Sequence, residues 1–132
     1  MEHSAARARS AIAAVEPNRA LKGYFGIMDL WKASNDEARA ILGSPAPSTF
    51  FAWKRGDQAR PSDDTLRRIG YVAGIFKALG ILYSDHTLAD RWIRTPNKAF
   101  GGQAPFDRMA AGDMTDLAVV RSYLDAARAP WS

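Results

Sequence analysis

Ser62-Asp63-Asp64-Thr65-Leu66-Arg67-Arg68-Ile69-Gly70-Tyr71-Val72-Ala73-Gly74-Ile75-Phe76-Lys77-Ala78-Leu79-Gly80-Ile81-Leu82-Tyr83 is the longest periodic stretch of the chain. Leu66, Ile69, Val72, Ala73, Phe76, Leu79 and Tyr83 recur at three- and four-residue steps, the spacing of one α-helical face. Ser62 is suited to cap this helix, and Asp63 and Asp64 fall where the helix dipole favours negative charge. A helix of this length is expected to be the central strut of the fold. Gly70 and Gly74 lie one turn apart on it. Each glycine costs about 1 kcal/mol relative to alanine inside a helix, so close approach by another helix is the expected compensation. Arg67, Arg68 and Lys77 exclude a membrane-embedded packing motif.

On the N-terminal side, Tyr24, Ile27, Met28 and Trp31 mark a shorter amphipathic helix. Asn35 is expected to cap the next one, with Asp36 and Glu37 in its first turn and Ala38, Ile41 and Leu42 turned inward before Gly43 ends it. Ser44-Pro45-Ala46-Pro47 reads as a turn, because each proline biases its predecessor away from helical geometry. Pro47 or Ser48 then opens a short helix over Thr49 to Arg55, closed by Gly56. Residues 57–61 form a polar loop. Residues 1–21 read as an Ala- and Arg-rich segment: either a helix ended by Pro17 or an arm whose Arg7, Arg9, Arg19 and Lys22 dock on a partner.

On the C-terminal side a short helix over Asp85 to Ile93 precedes an irregular stretch, Arg94 to Pro105, and a further short helix ends at Gly112. Asp113 and Asp116 resemble a capping box at the start of a last helix, whose stripe is Leu117, Val120, Leu124 and Ala127 and which Pro130 stops. No alternating strand pattern occurs. The fold expected is all-α: a helix-turn-helix bundle over residues 22–83 followed by a small helical domain with a C-terminal tail over 84–132.

Composition bounds the chemistry. The 132 residues are 47% hydrophobic and 24% charged, with no cysteine and a net charge of +4. That describes one compact domain, or two very small ones sharing a core. The absence of cysteine excludes disulfides, thiolate zinc sites and cysteine nucleophiles, and suits a cytoplasmic protein. Ala11 to Val15 is too short for a signal-peptide core. Residues 1–84 hold 12 basic and 8 acidic side chains, whereas residues 85–132 hold 6 of each. The positive excess therefore belongs to the first part, and the two parts are expected to do different work.

The segment Asn35 to Gly56 has the form helix, turn, helix, a geometry that lays its second helix in the DNA major groove. Ser48 and Thr49 stand at that helix's N-terminus, able to bond phosphate or base. Lys54, Arg55 and Arg60 are candidate phosphate partners, while Phe50 and Trp53 anchor the helix to the core. His3 and His86 are the two histidines; His86 with Asp90 supplies two ligands, too few for a metal site. Gly101-Gly102 lacks the lysine and hydroxyl residue of a phosphate-binding loop. No nucleophile–base grouping is evident, so no catalytic residue, cofactor or metal is expected.

The stretch Trp92 to Pro105 is denser in aromatic, proline and glycine residues than a connecting loop requires. Pro96, Asn97, Gly101, Gly102 and Pro105 are expected to shape the loop, with Asn97 bonding its own backbone two residues on. Trp92 and Phe100 are expected in the core. Taken with Gly112 and the segment Val120 to Ala126, the order Trp92, Pro96-Asn97, Phe100-Gly101-Gly102, Pro105 resembles the toxin-binding domain of the Xre/MbcA/ParS-like antitoxins. The segment around Thr49 to Lys54 is similar to the Xre-like helix-turn-helix domain that precedes it in that family. Together the resemblance spans roughly residues 22–130.

The resemblance implies a dimeric, non-enzymatic antitoxin of a type II toxin–antitoxin system. Its partner would be a RES-domain toxin that consumes NAD or transfers ADP-ribose, bound near the active site, and the pair would repress its own operon by binding operator DNA. Candidate toxin contacts are Arg121, Tyr123, Asp125, Arg128, Trp131 and Ser132. Trp131, two positions from the end, either folds back on its own core or enters a partner's pocket. A stand-alone helix-turn-helix regulator without a toxin is the second reading.

Overall fold

Ser34 and Glu37 set the start of the first short helix through a reciprocal exchange. The Ser34 hydroxyl accepts from the Glu37 amide at 3.1 Å, and a Glu37 carboxylate oxygen accepts from the Ser34 amide at 2.9 Å. In this computed structural model, which describes residues 17–57 and 60–128, that capping box opens α2 (Asn35–Ile41). The cap is therefore Ser34 rather than Asn35: serine with glutamate three residues on satisfies two amides, whereas asparagine one position later would satisfy one.

Before it lies α1, helical over 17–30. Pro17, the first described residue, is itself helical and buried, and Leu21 belongs to the core, so residues 17–21 are part of α1. Residues 1–16 lie outside the described part. After α2 come α3 (Pro47–Arg55) and α4 (Asp63–Leu82), the latter capped by the Ser62 hydroxyl on the Thr65 amide. Then follow α5 (His86–Arg94) with Asp85 as its cap, a single 3-10 turn (Lys98–Phe100), α6 (Pro105–Ala110) and α7 (Met114–Arg128). Among the described residues there is no strand, and the chain is all-α. No described helix is long and apolar enough to cross a membrane.

The strut α4 buries a broader face than its apolar spacing marks. Ile69, Val72 and Leu79 are buried as their spacing suggests, but so are Thr65, Arg68, Ile75 and Ala78, while Ala73 is exposed. One periodic face suffices for a helix at the edge of a bundle; α4 runs through the middle and packs along α7 as well. Its two glycines differ. A methyl group at Gly74 would collide with the Arg121 guanidinium arriving from α7, whereas one at Gly70 would meet nothing. Close approach accounts for Gly74 alone. On α7, Leu117, Val120 and Leu124 are buried and Ala127 is not.

The core is continuous across the chain: Tyr24, Trp31, Ile41 and Phe50 from the first helices pack with Ile93, Phe106, Leu117 and Leu124 from the last. Trp31 meets Phe106 edge to face at 6.3 Å. Two arginines reinforce this seam. Arg68, only 9% exposed, donates to the Ile41 carbonyl at 3.3 Å and the Gly112 carbonyl at 2.8 Å, and pairs with Asp64 at 2.9 Å. Arg94 donates to the Trp31 and Lys32 carbonyls at 2.8 and 2.7 Å, closing the end of α1, and lies 3.8 Å from the Phe106 ring centroid. Each satisfies helix-end carbonyls that would otherwise be left without donors.

Candidate functional site

Asn97 organises the loop between α5 and α6. Its amide donates to the Gln103 carbonyl, its carbonyl accepts from the Phe100 and Gly102 amides, each at 3.0 Å, and its side-chain oxygen accepts from the Ala99 amide at 2.9 Å. Gly101 and Gly102 follow with φ of 66° and 85°, the left-handed region that side chains disfavour. Pro105 is buried at the first position of α6, where its missing amide costs no hydrogen bond, and Pro96 is exposed. The loop thereby folds Phe100 back against α5 and α7.

There Phe100 completes a three-ring cluster. Trp92 of α5 stacks on Tyr123 of α7 with centroids 5.9 Å apart and planes 20° from parallel; Phe100 meets both edge on, at 6.3 and 5.2 Å. Phe100 is buried, but Trp92 is half-buried and Tyr123 exposed, so the cluster reaches the surface. Trp92 is thus not a core residue, because the ring covering its face is itself open to solvent. Leu88 and Val119 are also exposed, four residues before Trp92 and Tyr123 respectively. Neither stood out in the sequence. The clue available was their spacing, which places each one turn from an aromatic on the same helix.

Asp116 of α7 pairs with Arg108 of α6 at 2.7 Å, while the charged residues of the second half of α7 are paired with one another. Asp125 lies 3.4 Å from Arg121 and 3.9 Å from Arg128. The Arg121 Nε is buried and not aligned for a hydrogen bond, so its pairing with Asp125 is electrostatic. Its guanidinium rests on α4 over Gly74. Trp131 and Ser132 lie outside the described residues.

The second candidate site is the α2–α3 hairpin. Phe50 and Trp53 are buried and hold α3 to the core. Ser48 is exposed and Thr49 half-buried in its first turn, which begins at Pro47 without a side-chain cap. The Lys54 ammonium donates to the Asn35 side chain, Arg55 pairs with Asp57 at 3.1 Å, and Arg60 is exposed just before α4. Ser48 and Thr49 therefore stand at the head of α3 and Lys54 and Arg55 at its foot, so the helix separates the two sets along its length, and Lys54 and Arg55 already have partners. His86 and Asp90 line an apolar groove of about 370 Å³ with Leu30, Phe76 and Leu79. Among the described residues no three His, Asp or Glu side chains gather as a metal site would need.

Comparison with known sequences bears on this arrangement. Residues 78–129 match the family described as the antitoxin Xre/MbcA/ParS C-terminal toxin-binding domain. The Sinorhizobium fredii (strain NBRC 101917 / NGR234) protein y4oB, described as uncharacterized, is 44% identical over 108 residues, covering 82% of this chain and 83% of its own length. The matched span contains all three rings of the surface cluster.

Proposed function

The chain belongs to the Xre/MbcA/ParS antitoxin family, and from that premise we propose that it inhibits a RES-domain toxin by docking residues 84–132 near the toxin's active site. The observation that supports this reading is the coincidence of the matched toxin-binding span with a surface where Tyr123 stands exposed, stacked on the half-buried Trp92. Arg121, Tyr123, Asp125 and Arg128, with the terminal Trp131 and Ser132, form the contacting face and tail. The antitoxin acts by occlusion and needs no cofactor or catalytic group of its own.

The α2–α3 hairpin, with Ser48, Thr49, Lys54, Arg55 and Arg60, binds operator DNA, and the antitoxin works as a cytoplasmic homodimer within the toxin complex. Co-purification with the product of the neighbouring reading frame tests the inhibitor role. Deleting Arg128 to Ser132 should weaken inhibition; a truncated chain that inhibits fully would rule out the tail and retain the domain. For DNA, a gel-shift titration against the protein's own promoter should weaken as salt rises. Each neutralised lysine or arginine should lower the salt slope by about one. No binding at low salt, by the free protein or its complex, would remove the DNA role.

A further inference from the structure

Five large apolar side chains of the matched span stand exposed among the described residues, Ile81, Leu82, Leu88, Val119 and Tyr123, against two elsewhere, Leu30 and Phe51. Leu88 is 45% and Tyr123 42% exposed, although each neighbours a well-packed core. Exposed apolar residues scattered singly need no explanation, but Val119 and Tyr123 form an i, i+4 pair, Leu88 lies at the same spacing from the half-buried Trp92, and the Trp92–Tyr123 stack joins the two. Arg121 and Arg128 share the single Asp125, at 3.4 and 3.9 Å, which offsets one of their two charges.

We propose that the toxin is held chiefly by this apolar face, with the Trp92–Tyr123 stack at its centre and Leu88 and Val119 at its flanks, and not by the arginines of α7. The proposal rests on the toxin-binding reading above and specifies the chemistry of that contact: the toxin presents an apolar cleft, and the interface depends little on salt. A rigid, pre-stacked pair of rings loses little conformational freedom on binding, which is the usual character of an anchor in an interface. The toxin is the occupant because all four side chains lie in the span matched to a toxin-binding domain. Their exposed parts amount to a few hundred Å², the centre of a contact within the roughly 800 Å² per partner of a stable interface. They suffice for an anchor in a partner's cleft.

The test measures binding of the full-length chain to the product of the neighbouring reading frame by titration calorimetry. Leu88→Asp and Tyr123→Asp lie on the surface, and circular dichroism verifies that each keeps the wild-type fold. Each should weaken binding by about 30-fold or more, the scale of an interface anchor. Arg128→Ala should change it by less than about 3-fold, as should raising the salt from about 0.1 to about 0.5 M. Wild-type affinity in both aspartate variants, or a larger loss in Arg128→Ala, would overturn the proposal while leaving the toxin reading standing. A wild-type chain that does not bind that protein at all would remove both. A dimer dissociated by Leu88→Asp without loss of toxin binding would assign the face to a second copy instead.

Discussion

Arg94 shows what one side chain can do at a seam. It donates to two carbonyls at the end of α1, lies 3.4 Å from the Glu37 carboxylate, and covers the Phe106 ring. Lysine offers a charge but no planar fork, so Arg94→Lys should cost about 1–3 kcal/mol in urea unfolding, although charge is retained. Glu37 carries the matching pH dependence. Burial raises its carboxyl, but the Ser34 amide and Arg94 outweigh burial and hold it below its ordinary 4.5. A lowered folded value contributes stability that is complete above 4.5 and is lost as pH falls through the folded value. The stability difference between wild type and Glu37→Gln should therefore be larger at about pH 6 than at about pH 3. Neither role was legible beforehand: Glu37 was visible as a first-turn acid, but Arg94 lies 57 residues away and the pairing exists only after folding.

At the scale of the helix, the two glycines of α4 make a controlled comparison. Gly70→Ala meets open space and should gain about 0.5–1 kcal/mol from helix propensity. Gly74→Ala must first displace the Arg121 guanidinium, so its gain should be smaller; in an Arg121→Ala background the full gain should return. Thermal unfolding of the four proteins measures both. The elements after α1 were legible almost to the residue, because caps and stops are local: Ser62 before α4, Gly112 before α7, prolines at the heads of α3 and α6. The misplaced cap at Asn35 came from overlooking the serine–glutamate pair beginning one residue earlier. The full breadth of the buried face of α4 was hidden for a different reason. Small and polar residues such as Ala78, Thr65 and Arg68 do not announce burial, and Arg68 is inside only because Ile41 and Gly112 offer it carbonyls.

For the whole molecule, residues 22–83 and 84–132 differ in charge and in surface, while the interior is shared. α4 packs most extensively on α7, and Trp31 closes on Phe106 across the supposed boundary. A fragment ending at residue 83 would expose the α7-facing side of α4 and lose the Arg94 closure of α1. It should show no cooperative unfolding transition by circular dichroism, whereas the full chain should show one. Sequence marked the candidate site by its aromatic and glycine content, yet it assigned Trp92 to the interior. Whether a ring is covered depends on which ring covers it, and Tyr123 is contributed by another helix.

The uninterrupted α4 has a geometric consequence. It begins after α3, the hairpin's second helix, and ends where α5 begins, with its length gripped by α7. The span from α3 to the Trp92–Tyr123 stack is therefore a ruler rather than a tether. Two partners seated on those faces would be held at one separation and one angle, so that placing one would fix where the other stands.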